Sequence, residues 1–352
     1  MRSKFVLTAE TLKSGIIIRS PNWLGDAIMA LPAVCCFRKM IPLSSPFYVV
    51  SPSNLIPLYN SIPWVDKVIE IDSGHSVWNK NKLLEVKNLN VEIGFLFVNS
   101  LRSAYYFWKC VPKVFGASNG LRNIFLTKGF PVKWHEAKGY SKEHQSYKYL
   151  EMLYELGAEK WDGTYPKFKL LEASEIRIEG VSNFLSDHNT LVVAPGAAYG
   201  PAKRWSSTSY NQVCRYWIEE MKGKVIILGA KNECDTAKDV ANGLNPSKIL
   251  NLAGKTNLKE LLYILKNSKL CICNDSGIMH LGSALDIKGV AIFGSTDPYA
   301  TGPLSKNWAV AIKKQNCSPC FSRRCINPRK DYKCLNVITS DDIIQIIVKM
   351  CI

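Results

Sequence analysis

Apolar runs and amphipathic stretches alternate along this chain, most regularly from residue 190 onward. Leu191 to Ala194, Val225 to Leu228, Ile249 to Leu252, Leu270 to Cys273 and Val290 to Phe293 read as short strands buried on both faces. Helical spacing fills the intervals at Ser209 to Met221, Glu233 to Leu244, Leu258 to Asn267 and Ile278 to Leu285. The first half repeats the pattern less cleanly. Its strands are Ile16 to Arg19, Phe47 to Val50, Lys67 to Ile71 and Ile93 to Val98, and its helices lie near Leu24 to Lys39, Leu101 to Cys110 and Lys142 to Leu156. Pro32 should kink the first of those helices. Such alternation predicts an α/β protein of doubly wound parallel sheets, which bind ligands at the carboxyl ends of their strands. At 352 residues two cores are expected, so we read two Rossmann-like domains facing across a cleft, residues 1–175 and 176–337, with Tyr165 to Ser186 as the linker. The last helix, within residues 338–352, could pack back on the first domain.

The strand ends carry the candidate chemistry. In Ile16-Ile17-Ile18-Arg19-Ser20-Pro21-Asn22-Trp23-Leu24-Gly25-Asp26 a β-branched run breaks at Pro21 and resumes as a helix. Gly25 removes a Cβ where another molecule could approach, and Asp26 falls in the first helical turn, where the helix dipole favours a carboxylate. Asp26 is therefore either a helix cap or a carboxylate base at the mouth of a sheet. In the second half, Pro195-Gly196-Ala197-Ala198-Tyr199-Gly200-Pro201-Ala202-Lys203-Arg204 offers small residues followed by two cations, a pattern suited to phosphate. Glu233, after the strand ending at Leu228, could accept hydrogen bonds from ribose hydroxyls. Asn274-Asp275-Ser276-Gly277 opens a helix whose free N–H groups would face an anion. Asp275 is either its N-cap or a ligand organiser, and His280 either a core histidine or part of the site. Gly294-Ser295-Thr296-Asp297-Pro298 closes the same rim with hydroxyls. No GxGxxG or Walker motif is present, which argues against NAD-dependent redox chemistry and P-loop hydrolysis and leaves a nucleotide diphosphate held by helix N-termini and Lys203.

Charge changes the picture because of where it lies. Of the net +16, most sits in residues 99–148, with nine Lys/Arg against two acids, and residues 313–333, with seven against one. An anionic partner is implied: nucleic acid, a membrane face or a phosphorylated substrate. No stretch is long and apolar enough to span a bilayer, and the N-terminus lacks a secretory signal, so a cytoplasmic location is expected. Among twelve cysteines, eight lie in apolar or helical segments, while Cys317, Cys320, Cys325 and Cys334 share the polar, basic loop 313–334. Their spacing fits a structural zinc site, reduced thiols in a packed loop, or disulfides.

Taken together, Pro21-Asn22-Trp23-Leu24-Gly25-Asp26, Gly200-Pro201-Ala202-Lys203-Arg204-Trp205, Asn274-Asp275-Ser276-Gly277 with His280, and Gly294-Ser295-Thr296-Asp297-Pro298 resemble the motifs of the ADP-heptose:lipopolysaccharide heptosyltransferases, glycosyltransferase family 9, closest to the type II enzymes. The resemblance runs from about residue 15 to 338. It implies a GT-B fold and inverting, metal-independent transfer of heptose from ADP-heptose to the phosphorylated, lipid A-linked inner core of lipopolysaccharide. By motif, Asp26 resembles the general base and Lys203 the diphosphate-binding lysine. Glu233 is similar to the ribose contact, and Asp275, Ser276 and Gly277 to the nucleotide-sugar loop. With Gly25, Ala198, Tyr199, Gly200, Arg204 and His280 these make the expected donor site; Asn22, Trp23, Arg102 and Arg122 are the expected acceptor contacts. The four-cysteine pattern also occurs in type II members.

On this reading the enzyme is a monomer, peripheral at the inner face of the inner membrane, with its basic region 99–148 holding the anionic acceptor. Two alternatives stay open: another nucleotide-linked sugar or acceptor glycan, and, more remotely, a nucleic-acid-binding module in which Trp23, Trp108, Trp134 and Trp205 stack bases.

Overall fold

Six strands of the first half pair side by side, all parallel: β1 (Ile16–Arg19), β2 (Phe47–Pro52), β3 (Lys67–Ile71), β4 (Ile93–Leu96), β5 (Lys113–Ala117) and β6 (Lys128–Phe130), in the order β3-β2-β1-β4-β5-β6. The second half repeats this with β7 (Thr190–Ala194), β8 (Lys224–Ile227), β9 (Ile249–Asn251), β10 (Leu270–Asn274), β11 (Gly289–Ile292) and β12 (Trp308–Ala311), ordered β12-β11-β10-β7-β8-β9. Counted from its own first strand, each sheet has the same doubly wound order, and each reverses direction beside that strand, between β1 and β4 and between β7 and β10. The computed structural model describes residues 6–72, 77–132 and 143–351; Trp134 lies outside them. The described residues divide into two units, 6–72, 77–132 and 145–169 in one, 143–144 and 170–351 in the other.

Both sheets are covered by helices, so their central strands, β1 and β4, β7 and β10, are buried along their whole length. Ile17 pairs with Tyr48 and Gly94, and Val192 with Ile226 and Cys271. Gly94 is required by packing: a Cβ there would lie 2.8 Å from the Phe107 ring of helix Leu101–Cys110, which rests on the sheet at that point. The helix Leu24–Met40 runs on through Pro32, and its faces bury Ile28, Leu31, Val34 and Phe37.

The second core gathers Trp205, Tyr210, Val213 and Trp217 around Val193, Val225 and Ile272. The final helix, Ser340–Cys351, belongs to this core. It packs on helix Ser207–Glu219 and on β11 and β12, with Ile343 and Ile347 fully buried, so it docks on the second unit and not, as expected, on the first. Each of those isoleucines contributes roughly 1.5–3 kcal/mol by burial, which fixes the helix where its apolar stripe is covered.

Candidate active site

Each unit gathers candidate site residues at its own switch point. In the first unit, β1 feeds the loop Ser20–Trp23 and the helix Leu24–Met40, with Asp26 in its first turn. The N-cap residue, Trp23, contributes no side-chain cap to this helix. Asp26 borders a cavity of about 390 Å³ together with Asn22, Trp23, Asn99, Ser100 and Gln145, the loop after β4 supplying the far wall. Gln145 donates through Nε2 to Asp26 Oδ1 at 3.1 Å and lies 3.3 Å from the Tyr149 hydroxyl. Burial, and secondarily the Asp26 charge, pushes the Tyr149 phenol far above its ordinary value, so it stays protonated. Arg19, buried beneath the loop and lowered to about 10 by desolvation, donates to the Ser20 carbonyl and to Asn22 Oδ1, which fixes the turn before Trp23. Trp23 is 65% exposed.

Arg102 and Arg122 part company. Arg102 is exposed in the first turn of helix Leu101–Cys110, two residues beyond Ser100 of the cavity wall. Arg122 is buried, with Nη1 donating to the Ala117 carbonyl and Nε and Nη2 left without partners, and desolvation lowers it to about 10. It therefore cannot contact an acceptor as expected. The cause is the 3₁₀ geometry of Gly120–Phe125, in which positions three apart eclipse: Arg122 and Phe125 turn inward, while Leu121 and Ile124 point to solvent.

In the second unit the loop after β7 and the loop after β10 meet. Lys203 Nζ lies 2.6 Å from Asp275 Oδ2, and the same oxygen accepts a 2.6 Å hydrogen bond from the Thr296 hydroxyl. Both partners are mostly buried, 14% and 4% exposed, so the pair is little screened. The residue preceding helix Gly277–Ala284 is Ser276, so Asp275 is not the N-cap but the anchor of Lys203. Asn274 ties the two loops from below, donating to the Pro195 and Gly196 carbonyls and accepting from Trp205 N–H and Tyr210 hydroxyl. The hydroxyls of Ser276 and Ser295 are buried at these loops without a hydrogen-bond partner at bonding geometry. His280 is buried and held down to about 3 by desolvation, hence neutral, close enough to feel Asp275 and Lys203.

The remaining expected contacts frame this pair. Glu233 is buried, with Oε2 accepting from Ala230 N–H at 2.8 Å. Its carboxylate fills the space where a Cβ on Gly196 would stand, 2.0 Å from its carboxyl carbon, which is why the loop needs glycine there. Arg204 turns back to the Ala197 carbonyl at 3.2 Å and braces the loop. Tyr199 carries Lys203 Nζ at 4.8 Å from its ring centroid and the Arg323 guanidinium at 5.3 Å. Ala198 is exposed beside it.

Sequence singled out neither Arg323 as a site residue nor a link between the cysteine loop and this site. That loop is laced to the site: Ala202 N–H donates to the Arg323 carbonyl, Tyr199 hydroxyl to the Phe321 carbonyl, Cys320 and Phe321 N–H to the Ser295 carbonyl. Among the described residues no group of three or more His, Cys, Asp or Glu side chains could hold a metal ion, so the zinc reading of Cys317, Cys320, Cys325 and Cys334 gains no support. All four are unbridged thiols. Burial, then the neighbouring Cys317, Cys320 and Cys325, lifts Cys334 to about 11.

Two doubly wound parallel sheets, each with loops gathered at its own switch point, give this chain a fold of the GT-B type. The model of glycosyltransferase family 9 (heptosyltransferase) matches residues 85–330, and the chain belongs to that family. Lipooligosaccharide heptosyltransferase 2 of Campylobacter jejuni is 27% identical over 342 residues, covering 95% of this chain and 98% of that protein. Lipopolysaccharide heptosyltransferase 2 of Escherichia coli K12 is 26% identical over 305 residues, covering 82% and 85%. Among solved structures, the E. coli ADP-heptose lipopolysaccharide heptosyltransferase II superposes with a TM-score of 0.71 at 21% identity, covering 93% and 99%. The family 9 glycosyltransferase of Veillonella parvula does so with 0.80 at 23%, covering 96% and 98%.

Proposed function

We propose that this chain transfers heptose from ADP-heptose to a hydroxyl of the phosphorylated, lipid A-linked inner core of lipopolysaccharide, with inversion at the anomeric carbon and no metal requirement. Membership of family 9 and the heptosyltransferase 2 names of relatives aligned over most of their length support the substrates. The observation that carries the chemistry is Asp26, a carboxylate at the switch point of one sheet, bordering a cavity and held through one oxygen by Gln145.

Asp26 accepts the proton of the acceptor hydroxyl as that oxygen bonds to the anomeric carbon. The bond from that carbon to the diphosphate breaks on the opposite side, and its electron pair leaves with ADP. General-base assistance of this kind accelerates transfer by roughly 10² to 10⁴. Charge growing on the diphosphate is met by Lys203, which Asp275 holds in place, and by the N–H groups that open the helix Gly277–Ala284. A fixed cation and helix N-terminus in a water-poor site supply what a metal ion supplies elsewhere. Glu233 receives ribose hydroxyls, and Asn22, Trp23 and Arg102 contact the acceptor. We place the reaction at the cytoplasmic face of the inner membrane, where a lipid-linked acceptor is available.

Release of ADP from ADP-heptose, with defined inner-core acceptors and with other sugar nucleotides, tests this. Asp26→Ala is expected to lose at least about 10²-fold in kcat while binding ADP normally, and Lys203→Ala to weaken ADP binding as well. Unimpaired turnover by Asp26→Ala overturns the base, equal use of another sugar nucleotide overturns the donor, and loss of turnover in a chelator overturns metal independence.

A further inference from the structure

Outside the site, the most unusual surface lies on the helix Leu101–Cys110 and the 3₁₀ segment Gly120–Phe125, which pack together. Leu101 and Trp108 are 47% and 52% exposed and, seven positions apart, share one helix face. Leu121 and Ile124 are each 71% exposed on the eclipsed outer edge of the 3₁₀ turns. The Trp108 ring lies 5.5 Å from that of Phe125, the residue after Ile124, which makes the two sets neighbours. Charge there is of one sign: residues 99–132 hold five Lys/Arg and no Asp or Glu. Lys113 and Lys128 pair with Glu92 and Glu155 from neighbouring segments, while Arg102 and Lys109 are exposed beside Leu101 and Trp108.

We propose that Leu101, Trp108, Leu121 and Ile124, with Arg102 and Lys109 beside them, form a docking surface for an anionic lipid bilayer. Protruding aliphatic tips enter the acyl boundary, an indole sits at the headgroup level, and cations meet anionic phosphates. Phosphate of nucleic acid would match the cations but leave four apolar side chains against water. The proposal takes its purpose from the lipid-linked acceptor of the function proposed above, but its test does not depend on catalysis.

The full chain is sedimented with vesicles of phosphatidylcholine alone and of phosphatidylcholine mixed with phosphatidylglycerol. The wild type is expected to bind the mixed vesicles and to be released by salt. Leu121→Ser with Ile124→Ser is expected to lower that binding at least about tenfold, and Lys109→Gln about fivefold. These side chains are exposed, so the thermal midpoint and turnover on a soluble acceptor fragment stay as in the wild type. Three results overturn the proposal: no preference for anionic vesicles, undiminished binding by the double variant, or a wild type whose self-association or oligonucleotide binding, and not vesicle binding, is lost in that variant. Vesicle binding that persists when ADP-heptose is not turned over would sink the proposed reaction and leave the surface standing.

Discussion

Gln145 reaches Asp26 across 119 positions of sequence, and its carboxamide N–H fixes one carboxylate oxygen. That contact makes Gln145 a positioning residue for the proposed base, Asp26. Gln145→Ala is expected to lower kcat roughly tenfold with the donor KM little changed. Gln145→Glu should do something distinct: a second carboxyl beside Asp26 keeps one of the two protonated, so the acidic limb of the rate profile moves about one unit to higher pH. Rate profiles of both variants separate orientation from simple damage. Nothing in the sequence announces Gln145, because a single polar residue on an amphipathic helix carries no periodic signal.

His280 gives a second prediction at this scale. Its folded pKa of about 3 lies below the ordinary 6.5, so the unfolded chain binds a proton that the native one refuses. Stability contributed by the neutral ring is present above pH 6.5 and falls as the pH drops from there toward 3, by about 2 kcal/mol at pH 5. Chemical denaturation at pH 7 and pH 5 should show a smaller loss for His280→Asn than for the wild type. His144, also lowered by burial, adds to the loss in both proteins.

At the scale of elements, the loop after β7 is held in shape by its neighbours. Gly200 has φ +146°, and a Cβ there would stand 2.6 Å from the Arg323 carbonyl oxygen. Gly200→Ala must therefore push the cysteine loop away from Ala202 and Tyr199, with an expected loss of roughly 1–3 kcal/mol of stability and weaker ADP binding. Thermal melts with and without ADP measure both. Nine of the twelve strands stand where apolar runs foretell them, most within a residue or two. β5, β6 and β12 do not, for physical reasons: Lys113–Ala117 and Lys128–Phe130 begin on lysines inside a basic stretch, and Trp308–Ala311 is four residues at a sheet edge. The strand-end loops proposed for the donor stood out in the sequence because glycine, asparagine and lysine at strand ends have few other uses. The direction of Arg122 was not, since composition cannot say which edge of a 3₁₀ turn faces the core.

On the scale of the whole molecule, the proposed reaction divides the labour between two sheets of identical strand order, so nucleotide is expected to stabilise only the second. Hydrogen exchange with saturating ADP is expected to slow amides in residues 196–204 and 275–279 and leave those of residues 20–26 unchanged. No helix among the described residues is long and apolar enough to cross a membrane.

The repeated strand order has a consequence for inheritance. Each unit closes its own hydrophobic interior and carries its own loops, so mutations of Asn22, Trp23 or Arg102, the proposed acceptor contacts, need not disturb the lysine–aspartate pair proposed to hold ADP. Lineages that decorate different glycans could diversify one half while conserving the other, and hybrids assembled from two relatives are a direct way to watch that independence at work.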